Sequence, residues 1–152
     1  MTNSAQPAHL SHPDLHARID ASFVRQGMMQ HLGARLVSVA PGEVEIALPY
    51  SERVTQQQGG YHGGAMGALA DIAGGYAGLT MAAEGQEVTT VEYKINFLAA
   101  FQGGELRARG HVVRAGKRLI ITTAEVVHLD DNGGESPCAL MQQTLATVNK
   151  TY

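Results

Sequence analysis

The stretch HGGAMGALADIAGGYAGLTMAA, running from His62 to Ala83, contains one charged residue, Asp71. From Gly63 onward the rest is almost entirely Gly, Ala and larger apolar residues, and its length and content predict a helix over 63–83 buried nearly all round. The carboxylate cannot be paired within its own segment, because no Lys or Arg lies within four residues of it. Burying an unpaired carboxylate costs several kcal/mol, so such groups are candidates for chemistry. The competing reading is an Asp that reaches a backbone group or a cation on a neighbouring strand.

The same stretch is long enough to span a bilayer, and Gly63-x-x-x-Gly67 and Gly74-x-x-x-Gly78 mimic a membrane dimer motif. Six glycines, seven alanines and a central Asp nevertheless make it a poor insertion candidate. The Asp alone costs about 2.5–3.5 kcal/mol at a membrane centre. No membrane partner is expected.

Upstream, residues 1–11 are polar and aperiodic, contain Pro7, and are expected to be disordered. From Pro13 to about Gln30 the apolar set Leu15, Ile19, Phe23 and Val24 predicts one amphipathic helix. Ser11 or His12 is its cap, Pro13 occupies its first turn and Gly33 ends it. Residues 34–40 and 43–49 are β-rich runs joined by Pro41-Gly42, a strong turn dipeptide, and form a hairpin. A polar loop over 51–61 leads into the central helix. Downstream of Gly85 come four longer strand candidates, roughly 87–99, 104–114, 118–129 and 137–149. In the second, Leu106, Ala108, Gly110 and Val112 alternate with Arg107, Arg109 and His111. Gly103-Gly104, Ala115-Gly116 and residues 130–134 supply the turns.

Helix, two strands, long buried helix, four strands is not the alternation of a doubly wound fold. It predicts an α+β domain over 12–152 in which an antiparallel sheet wraps one central helix. Small residues dominate that helix because the sheet must approach its backbone closely.

At 152 residues the chain suits one domain with a sizeable core. A formal net charge of −3 argues against nucleic acid as the main partner. One cysteine, Cys138, excludes an internal disulfide. With no secretory signal in the polar N-terminus, a reducing, cytoplasmic setting is expected.

The run Gln56-Gln57-Gln58-Gly59-Gly60-Tyr61-His62-Gly63-Gly64, followed by Ala68-Leu69-Ala70-Asp71, resembles the hotdog-fold acyl-CoA thioesterases, and within them the phenylacetic-acid-degradation branch. Residues 90–98 (TVEYKINFL) and 113–117 (VRAGK) extend the resemblance, which covers about residues 30–149. His-Gly-Gly alone is weak; with Leu-Ala-Asp ending nine residues after the His, in this strand order, it is fairly specific. The resemblance implies a long helix wrapped by a curved sheet of six strands, preceded here by an extra N-terminal helix. It also implies a homodimer, or a homotetramer built as a dimer of dimers, with active sites at the subunit interface, and hydrolysis of an acyl-CoA substrate without a cofactor.

Thioester hydrolysis needs an activator for the carbonyl and a base or nucleophile. Gly63 and Gly64 begin the helix, where free N–H groups and the positive dipole end point outward. Such donors stabilise an oxyanion by roughly 3–4 kcal/mol each, and Gly avoids a Cβ clash with a substrate. The resemblance makes the Gly63 N–H the oxyanion donor. Asp71 lies about 12 Å further along the helix at about 1.5 Å per residue. That is too far for one helix to serve one reacting carbon, so the Asp of one subunit is expected to face the helix start of another, as general base or as nucleophile.

Gln56 stands six residues before the His, where many relatives carry Asn, and is expected to orient water or the leaving thiol. His62 either assists the leaving group or braces the loop. Thr90 falls where relatives place a hydroxyl near the attacking water, or is a β-branched structural residue. Six of the eleven basic residues lie between 91 and 118, and Arg114, Lys117 and Arg118, clustered at a hairpin, are the preferred receivers of coenzyme A phosphates.

Other schemes fit less well. No Gly-x-Ser-x-Gly elbow is present, and Cys138 is expected to pack rather than attack. His9, His12 and His16 on a polar end are expected to be solvated, so no metal site is assigned. The competing functions are a non-catalytic acyl-CoA-binding hotdog protein and a hotdog dehydratase or hydratase, whose His-plus-carboxylate motifs match His62 and Asp71 poorly. Met66, Leu69, Tyr76 and Phe97 are candidates to line an acyl pocket, or simply core.

Overall fold

The computed structural model describes residues 12–152, so Ser11, His9 and the segment 1–11 lie outside it. Helix α1 covers His12–Phe23 and buries Leu15, Ile19 and Phe23. The single helix expected up to Gln30 is in fact two, and α2 covers Gly27–Leu32. Arg25 and Gln26 donate to the carbonyls three residues back, which tightens and ends α1. Gln26 then turns extended, and Gly27, a weak helix former, opens the next element. Val24, assigned to the buried face, instead falls in this break and is 50% exposed. Gly33 ends α2 in the left-handed region at φ 81°, as its sequence position suggests.

Strands β1 (Arg35–Ala40) and β2 (Glu43–Pro49) form the hairpin around Pro41-Gly42. A short 3-10 turn at Glu52–Val54 begins the polar loop, and a bridge between Thr55 and Tyr61 closes it. Helix α3 follows over Gly63–Thr80, then β3 (Gln86–Phe97), β4 (Glu105–Ala115), β5 (Leu119–Leu129) and β6 (Glu135–Asn149). The six strands form one antiparallel sheet in the order β1-β2-β4-β5-β6-β3, and α3 packs on it. This is the α+β arrangement expected of a hotdog fold, with α1 as the additional N-terminal helix.

Close approach explains the small residues. A Cβ on Gly110 of β4 would lie 2.2 Å from the Ala73 carbonyl oxygen of α3, so only Gly fits there. A Cβ on Gly74 would lie 2.4 Å from the Gln143 side-chain oxygen. Helix α3 is less completely enclosed than its composition suggests. Ala68, Asp71, Ile72 and Gly75, a stripe at helical spacing, are only half-buried.

Strand β3 ends the sheet and contains a bulge: Thr90 pairs with Leu145 and Glu92 with Thr144, so Val91 is an extra residue. The side-chain phase switches there. Thr90 shares the helix-facing side with buried Leu145, whereas beyond the bulge Tyr93, Ile95 and Phe97 share it with buried Gln143, Met141 and Ala139. Val91, Tyr93, Phe97 and Leu98 are large, apolar or aromatic, and exposed along this edge.

Candidate active site

Asp71 projects from the half-buried stripe of α3 towards β3 and β6. Its Oδ1 accepts the Thr90 hydroxyl proton at 2.7 Å and an N–H from the Gln143 side-chain amide. Both donors are neutral, so the Asp is held neither by a cation nor by a backbone N–H. Among the described residues, Oδ2 receives no hydrogen bond. Asp71 and Thr90 open onto a cleft of about 190 Å³ that continues past Gly75 to Ser22, Gln26 and Tyr76. A Cβ on Gly75 would meet nothing within 4 Å, so this glycine faces open space.

The far end of the cleft is polar. The Tyr76 hydroxyl accepts from Gln26 Nε2 at 2.9 Å and shares a hydrogen bond with Ser22 Oγ at 3.1 Å. Burial pushes the Tyr76 phenol above its ordinary range, which keeps it a neutral hydrogen-bonding group. Of the four candidate pocket residues, Tyr76 lines this cleft, while Met66 and Leu69 are core. Phe97 sits elsewhere, with its ring within 3.3–3.6 Å of where a Gly63 Cβ would be.

At the start of α3, His62 is the N-cap, and its Nδ1 accepts from the Gly64 N–H at 2.7 Å. This geometry assigns the neutral imidazole proton to Nε2. It also commits the Gly64 N–H to the cap. The Gly63 N–H has no hydrogen-bond partner among the described residues, while Ala65 and Met66 donate to the His62 carbonyl. The two glycines therefore differ: one braces the turn, the other presents a free donor at the positive end of the helix.

Gln56 lies in the closed loop, where its side-chain oxygen accepts from the Gln58 N–H and its backbone bonds Gly60 and Gly59. Hydrogen bonds from His62 N to the Val54 carbonyl (2.7 Å) and from Tyr61 N to the Phe101 carbonyl (2.9 Å) fix the loop against the helix start. Arg114, Lys117 and Arg118 are exposed around the β4–β5 turn and form no salt bridge among the described residues. Arg107 and Arg109, by contrast, are committed to Glu45, Glu105 and Glu135 on the outer face. The turn that carries these cations meets β5 at Leu119, two strand spacings, about 10 Å, from Thr89 of β3, because both residues pair with Ala146.

Gln143 and Thr122 are the site neighbours that sequence reasoning missed. Each is fully buried, and each is a polar residue in an apolar phase of its strand: Met141–Gln143–Leu145 and Ile120–Thr122–Ala124. That interruption was the available signal. Cys138 is fully buried and packs, as expected. Among the described residues no cluster of three metal-ligating side chains occurs, and no helix is long and apolar enough to cross a membrane.

Comparison with known proteins accords with this arrangement. Residues 58–135 match the family described as the thioesterase superfamily. A thioesterase family protein from Silicibacter pomeroyi has a crystal structure similar at a TM-score of 0.85, with 36% identity, covering 90% of this chain and 99% of that one. The proofreading thioesterase EntH of Klebsiella pneumoniae is 31% identical over 106 residues, 70% of this chain and 76% of its own. The E. coli PaaI protein from the phenylacetic acid degradation operon shares the fold at a TM-score of 0.81 and 21% identity, over 92% of this chain and 97% of that one. With the family match spanning half its length and the strand order in place, the chain belongs to the hotdog-fold thioesterase superfamily.

Proposed function

We propose that the protein is an acyl-CoA thioesterase that acts as a homodimer, or as a dimer of dimers, in the cytoplasm. The observation that carries this reading is the Asp71 carboxylate, held through one oxygen by neutral donors, without a hydrogen bond to the other among the described residues, on a residue that lines a cleft. The cleft is smaller than a whole-ligand pocket and suits an acyl group rather than the nucleotide of coenzyme A.

Two subunits complete the site. Antiparallel pairing of β3 with its copy, centred between Tyr93 and Lys94, would set Thr90 of one strand opposite Phe97 of the other. Thr90 touches Asp71 and Phe97 packs at Gly63. Such pairing therefore brings one subunit's carboxylate towards its partner's free N–H and removes the 12 Å problem (about 1.5 Å per residue over the helix). The Gly63 N–H stabilises the oxyanion. Asp71 Oδ2 takes a proton from water as it attacks the carbonyl carbon, or attacks that carbon itself to give a mixed anhydride that water then hydrolyses; on either route the C–S bond breaks, the sulfur leaves as the CoA thiol once protonated, and the acid is released with Asp71 restored. His62 Nε2–H is a donor for the departing sulfur, and Gln56 orients the water or the thiol. Gly64 shapes the substrate-facing turn, and Arg114, Lys117 and Arg118 receive the phosphates.

A thiol-release assay over aryl, short-chain and long-chain acyl-CoAs tests this reading. Wild type is expected to release thiol, and Asp71→Ala to lose about 10³-fold or more in kcat while the oligomer stays folded. Wild-type-like turnover by that variant would sink the mechanism. Bound, intact thioester with no thiol released would make the protein a binding module. Change in the acyl chain with the thioester kept would make it a hydratase or dehydratase.

A further inference from the structure

The fully buried Gln143 has no part in the chemistry described above, yet its amide nitrogen makes two contacts to Asp71 and one to Thr90. Its Nε2 donates to Asp71 Oδ1, to the Asp71 carbonyl at 3.2 Å and to Thr90 Oγ1 at 3.1 Å. Its Oε1 accepts the Thr122 hydroxyl proton at 2.8 Å. Gly74 makes the room, because a Cβ there would lie 2.4 Å from this Oε1 and 2.9 Å from Thr122 Oγ1.

We propose that Gln143, locked by Thr122, is a positioning residue that selects which oxygen of Asp71 reacts, a role that rests on Asp71 being the reacting carboxylate. An amide has one acceptor end and one donor end. With Oε1 satisfied by Thr122, the NH2 end must face the carboxylate; the flipped amide would set oxygen against oxygen. One amide proton and the Thr90 hydroxyl then hold Oδ1, the other amide proton is shared by the Asp71 carbonyl and Thr90 Oγ1, and Oδ2 is left without a hydrogen bond among the described residues. A neutral donor suits this task. A lysine or arginine at the same place would neutralise the carboxylate and weaken it as a base or nucleophile, whereas an amide orients it with its charge kept. The choice of a buried Gln over an apolar residue in the phase of Met141 and Leu145 follows from that requirement.

The test uses the full chain with Gln143→Met, Gln143→Glu, Thr122→Val and Thr122→Ser, beside Asp71→Ala. Each is checked for folding by circular dichroism and thermal melting, then assayed across pH. Gln143→Met, similar in shape but without a donor, is expected to lose about 10–100-fold in kcat, as loss of one hydrogen bond to a charged group gives, with KM held within about twofold. Thr122→Val frees the amide to flip and lowers kcat in the same direction by less; Thr122→Ser restores it. Gln143→Glu supplies the pH signature. Below the pKa of the introduced carboxyl, which the neighbouring Asp71 charge raises, it is protonated and still donates. As pH rises through that value it ionises, repels Asp71 and kcat falls, a descending limb that wild type lacks. Packing alone would leave Gln143→Glu and Gln143→Met equally impaired at every pH, and that result overturns the proposal. So does a loss confined to KM, or wild-type turnover by Gln143→Met and Thr122→Val while Asp71→Ala is dead. An active Asp71→Ala would instead remove the reading on which the proposal rests.

Discussion

Asp71 shows how far a single residue can be read. Its lack of a nearby cation was visible in the sequence, and among the described residues it forms no salt bridge in three dimensions; in place of the backbone group or cation of the competing reading stand the Thr90 hydroxyl and the Gln143 amide. Neutral partners leave no mark in a charge pattern, and Gln143 is 72 residues away. Cys138 was legible for the opposite reason: an apolar strand position predicts burial, and burial pushes its thiol up to about 11. The neutral thiol is then the form the fold prefers. Its contribution to stability is complete below the unfolded value of about 8.5 and is lost as pH rises through about 11. Native protein at pH 8 is accordingly expected to resist a thiol reagent such as DTNB, and to react fully once unfolded in urea. Urea midpoints that fall between pH 8 and 11 more steeply in wild type than in Cys138→Ala would measure the linkage.

Elements were legible where one periodicity ran without interruption. The β1–β2 hairpin, α3 and the alternation of β4 all lie within a few residues of their expected bounds. The α1–α2 break was not legible, because the apolar spacing runs through it and the Gln26 side chain is drawn away to Tyr76 by a contact 50 residues distant. The small-residue content of α3 predicted close packing, but which glycines bear it depends on the facing strand. A Cβ at Gly110 would press on the Ala73 backbone, which cannot move aside, whereas one at Gly78 would lie 2.3 Å from a Leu145 methyl, which can rotate. Gly110→Ala is therefore expected to cost about 1–3 kcal/mol, the range of overpacked cores, and more than Gly78→Ala. Urea unfolding of the two variants side by side measures the difference. A larger loss for Gly78→Ala would mean that the helix, not the sheet, is the yielding partner.

For the whole molecule, the order of elements in the chain excluded a doubly wound fold, but it could not give the strand order, which places β3 beside β6 at the edge. That placement gives the proposed second copy an edge to pair with. The exposed Val91, Tyr93, Phe97 and Leu98 form a ready surface for it on a strand with a free edge. Sedimentation equilibrium is expected to find at least a dimer, and Val91→Lys with Tyr93→Lys to shift it towards monomer. If the site is shared between subunits as proposed, specific activity falls on dilution through the dissociation range, earlier in this variant than in wild type. A fully active monomer would exclude a shared site.

The bulge at Val91 places one strand in two phases, so that Thr90 reaches Asp71 while Tyr93 and Phe97 still turn towards the helix side. Deleting that one exposed residue would remove no core contact and would join Thr90 and Glu92 into an unbroken ladder opposite Leu145 and Thr144, so that the bulge goes while every side chain keeps its face. This position is thus tolerant of substitution, and its removal would cost the edge strand its local bend and not its register. Among divergent copies of such a chain, loss of residue 91 would straighten this edge and still leave Thr90, Tyr93 and Phe97 on one side of it.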